Sequence, residues 1–182
     1  MLCTAVHIRL LDILSHYNKN LAELTATRAE RFKIMNTLKI QSDLLKRRET
    51  NDASRYFYNV SNDYVYYSPD GFVMYRIPEN YFYLDVEKVF KDITPFNLKA
   101  VWKPDDSKQA YKTGDIKIMT QGKKQYNVVK IKNESDVIWV NERLLKNFDS
   151  DCSFYITNSI SAVYIEENGE LVGMVMPTKI NE

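Results

Sequence analysis

Few side chains in this 182-residue chain are spaced to do chemistry together. His7 and His16 lie nine positions apart, whereas two metal ligands on one helical face need a spacing of about four residues. Cys3 and Cys152 are isolated thiols without a second ligand at metal-binding spacing. We therefore predict no metal site, no cofactor and no catalytic residue, so that the protein is not an enzyme.

The remaining candidates for catalysis are aspartates and glycines in predicted turns. Asp63 and Asp70 flank one set of short runs, and Asp149 and Asp151 lie in a later loop. Aspartate is common where a chain reverses, because its side chain bonds to nearby backbone amides. The five glycines are scattered, so the sequence contains no glycine-rich phosphate loop. We interpret these residues as turn formers rather than as a metal-dependent nuclease site.

The formal net charge of +1 conceals an uneven distribution of charge along the chain. Residues 99–132 contain nine basic and three acidic side chains, whereas residues 133–182 contain three basic and nine acidic ones. Two interpretations stay open. Either a phosphate-facing surface lies beside a protein-facing surface, or the two segments pair as neighbouring strands and neutralise each other.

Three groups of basic residues are candidates for contact with DNA. Phosphate contacts need only positive point charges and carry no sequence information. We predict that DNA contacts form at two helix ends and in one hairpin turn, through Lys39, Lys46, Arg47, Arg48, Lys123, Lys124, Arg143 and Lys146. Three further lysines of that hairpin, Lys117, Lys130 and Lys132, extend the basic track. A solvated surface has the same composition, so this alternative stays open.

Thirteen tyrosines provide the second kind of candidate contact, because tyrosine offers rigid, amphipathic contact area. We predict protein contacts through strand tyrosines and an acidic closing hairpin, namely Tyr56, Tyr58, Tyr64, Tyr66, Glu166, Glu167 and Glu170. Tyr67 lies on the strand face opposite Tyr66. Either both faces of these strands are covered, or one face is a contact surface.

The elements that must position these residues follow from the periodicity of apolar side chains. The first fifty residues have apolar positions at steps of three and four, which predicts one bent helix or two helices that pack on the protein or form a dimer seam. Aromatic and β-branched runs then predict strands at 55–60, 64–67 and 72–77. Further predicted elements are a helix at 85–91, a connection at 99–114, a hairpin of 116–119 with 126–131, a strand and helix at 136–140 and 141–148, and strands at 153–156, 162–165 and 171–176.

The order of these elements suggests an internal repeat of a helix followed by strands. The run from Arg55 to Ile77 resembles the meander of DNA polymerase sliding clamps. The run from Val137 to Lys146 is similar to the strand and helix that open the second half of a clamp domain, and Gly173 to Pro177 resembles a clamp's final strand. The resemblance implies one clamp-like α+β domain at 36–182, and the helical extension predicted at 1–35 has no counterpart in clamps. A clamp ring contains several such domains, so encircling DNA would require several copies of this chain.

The functional expectation combines this resemblance with the missing catalytic groups. No apolar run reaches the ~18 residues of a membrane span, and no secretory leader is visible, so we expect a protein of a bacterial host cytoplasm. The leading hypothesis is a phage-type binding protein that occupies a surface of a DNA-processing enzyme or defence nuclease, similar to anti-CRISPR inhibitors, with DNA contact. The alternative is a clamp-like processivity or scaffolding factor. The expected partner is a nuclease or a polymerase, and the expected state is a monomer or dimer.

Overall fold

The computed structural model describes residues 37–45, 57–61, 63–85 and 96–180, and for residues 57–61 it gives the backbone alone. Residues from Lys39 onward belong to one compact unit, and a second unit ends at Leu38. The predicted boundary between residues 1–35 and 36–182 stays a prediction. In the described ranges, no helix has the length and apolar content that a membrane crossing requires.

Nine strands and three helical segments account for most of the described chain, so the fold is α+β with antiparallel strands, as predicted. The strands are β1 Phe57–Ser61, β2 Tyr64–Ser68, β3 Val73–Pro78, β4 Lys108–Gln121, β5 Lys124–Lys132, β6 Val137–Asn141, β7 Ser153–Ile156, β8 Val163–Glu167 and β9 Glu170–Val175. The helical segments are residues 37–45, Leu98–Val101 and Glu142–Leu145, and Glu79–Tyr81 forms a 3-10 turn.

The predicted strands are confirmed, but the connection predicted at 99–114 is wrong. Its first residues belong to the helix Leu98–Val101, and β4 begins at Lys108 rather than near Ile116. The early part of β4 is polar and largely exposed, so it lacks the apolar alternation that marks a half-buried strand. The helix predicted at 85–91 lies almost entirely outside the described residues.

All nine strands form one sheet in the order β1-β2-β3-β9-β8-β7-β4-β5-β6. The meander β1-β2-β3 and the meander β7-β8-β9 meet where β3 pairs with β9, with Met74 opposite Met174. A helix precedes each meander, at residues 37–45 and at Glu142–Leu145. The chain therefore repeats a helix followed by three strands, as the sequence suggested.

The main core lies on one face of this sheet and takes buried side chains from β2 through β9. The helix of residues 37–45 adds Ile40 and Leu44 to the same cluster. The backbone N–H of Thr178 donates to the carbonyl of Trp139 at 2.7 Å, so the chain after β9 reaches the last strand, β6. One shared cluster and this contact together show that the sheet curls around its core.

A second, smaller core covers the opposite face of the two meanders. It contains Tyr66 and Met74 from the first meander and Tyr164 and Met174 from the second. The Trp102 ring packs edge-on between the two tyrosines, with ring centroids 5.4 Å and 5.5 Å apart. Both faces of β2 and β3 are therefore covered, which decides between the two interpretations of the tyrosine strands.

Candidate nucleic-acid interface

The strands β4 and β5 form a long hairpin, called here the basic hairpin, whose base joins the core and whose turn half is largely exposed. Residues 108–132 contain seven lysines and one aspartate. The outer edge of β4 pairs with β7 only from Lys108 to Ala110, and no other described strand pairs with that edge beyond Ala110. On the other side of the hairpin, β5 pairs with β6, which also belongs to the acidic segment, from Val128 to Lys132. Pairing between the basic and acidic segments thus covers the base of the hairpin, whereas its turn half pairs with neither β6 nor β7 and carries the exposed Lys117, Lys123 and Lys124.

Two ion pairs connect hairpin lysines to carboxylates. Lys130 Nζ lies 3.1 Å from Asp115 Oδ2, and Lys112 Nζ lies 3.9 Å from Glu142 Oε1. The hydrogen bond from Lys130, with a second from Thr113, lowers the pKa of the Asp115 carboxyl. The Asp115 side chain is 58% exposed, so solvent screens this pair and it adds little stability. Its main effect is to place one negative charge among the lysines.

One face of the three-stranded part β4-β5-β6 combines lysines with aromatic rings. Opposed residues share a face and successive residues alternate, so the register places five side chains together. These five, Tyr111, Lys117, Lys130, Lys132 and Trp139, are called here the basic–aromatic face; Val128 and Val137 lie on the same side, and Val128 is buried. The opposite face of the same strands turns Val129, Ile131, Ile138 and Val140 into the core. Burial of these four side chains thus orients the lysines and rings of the basic–aromatic face to the other side of the strands.

Each ring of the basic–aromatic face has a lysine close to it. Lys117 Nζ lies 4.7 Å from the Trp139 ring centroid, and Lys130 Nζ lies 6.0 Å from it. Lys132 Nζ lies 5.4 Å from the centroid of Tyr111, a ring that is 54% exposed. These distances are within the range in which an ammonium group is attracted to an aromatic face.

A groove of about 450 Å³ adjoins the hairpin, between β5 and the helix Glu142–Leu145. It is lined by Gln125, Tyr126, Asn127, Glu142, Arg143 and Lys146. The Asn141 side chain accepts a hydrogen bond from the Arg143 backbone N–H at 3.0 Å, which caps the helix where it leaves β6. The groove therefore places the candidate DNA contacts Arg143 and Lys146 beside β5 of the basic hairpin.

The segment after this helix is attached to the first meander. Asn147 Nδ2 donates to the Tyr75 hydroxyl at 2.8 Å, and the Phe148 ring lies 5.3 Å from the Tyr75 ring. Gly173 lies directly against Phe148, since a Cβ added there would be 2.6 Å from Phe148 Cε1. These contacts hold Arg143 and Lys146 in place relative to the sheet.

The predicted DNA contacts fall into three groups. Lys123 and Lys124 are exposed at the hairpin turn, and Arg143 and Lys146 line the groove beside the same hairpin. Lys39 is exposed on the helix of residues 37–45 and does not line that groove. The other three, Lys46, Arg47 and Arg48, lie outside the described residues.

The structure alters the interpretation of the predicted tyrosine contacts more than that of the other predicted contacts. Tyr66 is only 6% exposed and packs in the second core, so its ring offers almost no area to a partner. Tyr64 is half-buried beneath the Arg76 guanidinium, which lies 3.4 Å from the ring centroid. We therefore remove Tyr66 from the contact set. Tyr56 lies outside the described residues, and Tyr58 belongs to β1, of which only the backbone is described.

The predicted acidic contacts are partly engaged within the chain. Glu166 Oε1 accepts from the Tyr155 hydroxyl at 3.2 Å, and Glu167 Oε1 accepts from the Asp149 backbone N–H at 2.6 Å. Glu170 is exposed at the turn between β8 and β9. The acidic end is thus a real surface feature, but two of its three carboxylates also stabilise their own loop and strand.

The structure describes the surroundings of Cys152 and Asp70, two of the groups considered for catalysis. Burial, with a smaller contribution from Glu167, raises the pKa of the Cys152 thiol to about 11, so it is protonated at neutral pH. Asp70 Oδ1 accepts from the backbone N–H groups of Phe72 and Val73, which is the predicted turn-forming role. Within the described ranges, no three metal-ligating side chains of the His, Cys, Asp and Glu types come together.

Sequence reasoning missed four exposed or half-exposed side chains of the hairpin region. Tyr111 and Trp139 form the rings of the basic–aromatic face, and Ile116 and Ile118 are 55% and 68% exposed on β4. Large aliphatic side chains among lysines in an exposed strand were the available signal for the two isoleucines. The pairing of Trp139 with Lys117 depends on strand register, which composition does not reveal.

Comparisons of this chain with protein-family models, with curated proteins and with solved structures found no match in any of the three. The similarity of the meanders to sliding clamps therefore stays a hypothesis that rests on the residues themselves.

Proposed function

We propose that this chain is a binding protein without catalysis of its own, and that the basic hairpin is its contact surface for nucleic acid. The observation that carries the proposal is the exposed strand pair with seven lysines and one aspartate, beside the groove of Arg143 and Lys146. Polyanion binding through such a surface gains free energy from the release of counterions. Such binding requires no reactive group on the protein.

In its narrower form, the proposal is that the protein occupies a surface of a DNA-processing or defence nuclease, as an anti-CRISPR-type inhibitor does. A stoichiometric inhibitor needs only a contact surface. The basic hairpin suits the place where a nuclease complex holds its nucleic acid. The exposed Ile116 and Ile118 add apolar area to the same strand, as the centre of a protein interface requires.

The alternative is a clamp-like DNA scaffolding factor, and one observation favours it. Two units of a helix and three strands meet at the pairing of β3 with β9, which gives the sheet an approximate two-fold arrangement centred on Met74 and Met174. In the clamp resemblance the helices face DNA, which assigns that contact to Lys39, Arg143 and Lys146. Sedimentation distinguishes the two: the inhibitor is expected as one or two copies, and the clamp as a closed ring.

The salt dependence of DNA binding tests the proposal. Lys123→Gln with Lys124→Gln removes two hairpin charges at exposed positions, so the slope of log affinity against log salt for duplex DNA flattens by about 1.8. Lys99→Gln with Lys103→Gln removes the same charge from exposed positions outside the hairpin and is expected to leave the slope unchanged. Equal slopes for the two double variants, or no binding by the unchanged protein, contradict the proposal.

The partner is tested separately with purified enzymes. Tagged protein is used to capture partners from cells that contain defence nucleases and replication enzymes, and each captured enzyme is then assayed with increasing amounts of this chain. Stoichiometric loss of nuclease activity supports the inhibitor. Stimulation of a polymerase over long templates supports the alternative.

A further inference from the structure

The basic–aromatic face contains more than phosphate contacts need, because two aromatic rings lie among its three lysines. We propose that this face binds single-stranded nucleic acid by stacking bases on Tyr111 and Trp139 while the lysines contact the phosphates. The assignment rests on the proposed contact of the basic hairpin with nucleic acid and names the kind of strand it takes.

The ring–lysine pairs match the two parts of a nucleotide. Each aromatic ring offers a stacking surface, and an ammonium group lies 4.7 Å from the Trp139 centroid and 5.4 Å from the Tyr111 centroid. A nucleotide presents a flat base next to a phosphate. The lysines have flexible stems, so they can exchange the ring face for a phosphate oxygen when a base takes their place.

The two rings are separated along and across the strands. Tyr111 lies opposite Lys132 and Val137, and Trp139 lies opposite Lys130. With strands ~4.8 Å apart and a rise of ~3.3 Å per residue, the Tyr111 and Trp139 Cα positions are roughly 12 Å apart. An extended strand can therefore reach both rings with bases that are not immediate neighbours.

The surface favours an unpaired strand over a duplex. In a duplex the flat faces of the bases are occupied by neighbouring bases, so an exposed ring on a protein sheet cannot reach them without unstacking. An unpaired strand offers its base faces freely, and stacking on aromatic side chains tolerates any sequence. The positive charge of the hairpin attracts an unpaired strand and a duplex alike. The aromatic rings are therefore the features that favour the unpaired strand.

Binding of labelled oligothymidylate and oligouridylate of about 12 nucleotides, and of a duplex of the same length, tests the assignment on the full chain. Tyr111→Ala is the first variant because this ring is exposed and its removal spares the core. Trp139→Ala and Trp139→Phe form a pair in which the second keeps an aromatic ring. Tyr83→Ala is the matched control, because Tyr83 is a similarly exposed tyrosine outside this face.

The expected result is a loss of single-strand affinity of about 5- to 150-fold for Tyr111→Ala and for Trp139→Ala, with duplex affinity unchanged. Trp139→Phe is expected to lose less than Trp139→Ala, and Tyr83→Ala to lose nothing. Loss on either single strand supports the proposal, and the tighter of the two identifies the strand as DNA or RNA.

The opposite result separates this inference from the proposed function. If the ring variants bind single strands and duplex as tightly as the unchanged protein, while the Lys123 and Lys124 double variant still flattens the salt slope, the face makes phosphate contacts alone. Base stacking is then wrong and the proposed function stands. If the unchanged protein binds no nucleic acid at all, both fail together.

Discussion

The change Gly173→Ala is expected to destabilise the protein strongly, although it adds only one methyl group. The new Cβ would lie 2.5 Å from the Met74 carbonyl oxygen and 2.6 Å from Phe148 Cε1. The optimal separation of non-bonded heavy atoms is about 3.5–4.0 Å, so the new methyl group is about 1 Å too close to each of these two atoms. Tyr75 pairs with Gly173 and Met74 with Met174 in the β3–β9 ladder. The Met74 carbonyl oxygen therefore cannot move away without disturbing the junction of the two meanders.

The size of the effect follows from the cost of overpacking. Extra volume in a packed site costs ~1–3 kcal/mol, and the backbone neighbour places this site near the upper end, at about 3 kcal/mol. With a urea m-value of about 2 kcal/mol/M, the unfolding midpoint is expected to fall by about 1.5 M. Because Phe148 follows the helix that carries Arg143, affinity for nucleic acid is expected to fall as well.

Urea unfolding followed by circular dichroism measures this effect, and Gly122→Ala is the matched control. Gly122 has a φ of +62° but no neighbour within 4 Å of an added Cβ, so alanine there costs only the backbone strain of about 1–2 kcal/mol. The cost of Gly173→Ala in a Phe148→Leu background is expected to be smaller than in the unchanged protein. A midpoint for Gly173→Ala at or above that of Gly122→Ala refutes the close packing at this junction.

Three further outcomes are expected. Asp115→Asn removes the negative charge beside Lys130, so the salt slope of duplex binding, measured by anisotropy, is expected to steepen by about 0.9; an unchanged slope contradicts a phosphate contact there. In a Cys3→Ser background, Cys152 is expected to react slowly with a thiol reagent at pH 8 and faster as pH approaches its pKa of about 11, and rapid reaction at pH 8 contradicts this. Trp102→Ala opens a cavity between two tyrosine rings and is expected to cost about 3–5 kcal/mol in urea unfolding, whereas a cost under about 1 kcal/mol contradicts the packing of this ring.

The raised pKa of Cys152 also predicts how the free energy of unfolding changes with pH. The folded state holds the thiol protonated to a higher pH than the unfolded chain does, because burial raises its pKa from the ordinary value of 9.0 to about 11. The unfolded chain therefore releases this proton first as pH rises. The contribution of this group is fully present below pH 9 and is lost as pH rises toward 11, so a Cys152→Ser variant is expected to show a smaller loss of stability over that interval.

The strands were predictable where turn residues separate short aromatic runs. The Asp70 side chain closes one turn, and Asn168 and Gly169, both at positive φ, close another, and these residue types signal turns in the sequence. The first residues of β4 were missed because Ala110 is the only buried residue among them, so no apolar alternation marks the strand. Local sequence patterns reveal strands through the alternation of buried and exposed residues, and few residues of β4 are buried.

The interface was predictable in charge but not in arrangement. The lysines of the basic hairpin stand out in composition, whereas the contact of Lys117 with Trp139 joins residues of two strands separated by a third. Tyr66 failed as a contact residue for a related reason. The Tyr66 ring packs against Trp102, which lies in a segment that the sequence predicted to be a connection. Such long-range packing is set by topology and not by local periodicity.

The most direct test of the central claim is amide chemical-shift mapping of the full chain during titration with an oligonucleotide. If the basic hairpin is the contact surface, the largest shifts are expected at residues 111–132 and 139–146, and they diminish as salt is added. Shifts confined to β7, β8 and β9 with the acidic turn at 166–170, or no shifts at low salt, contradict the assignment of this surface to nucleic acid.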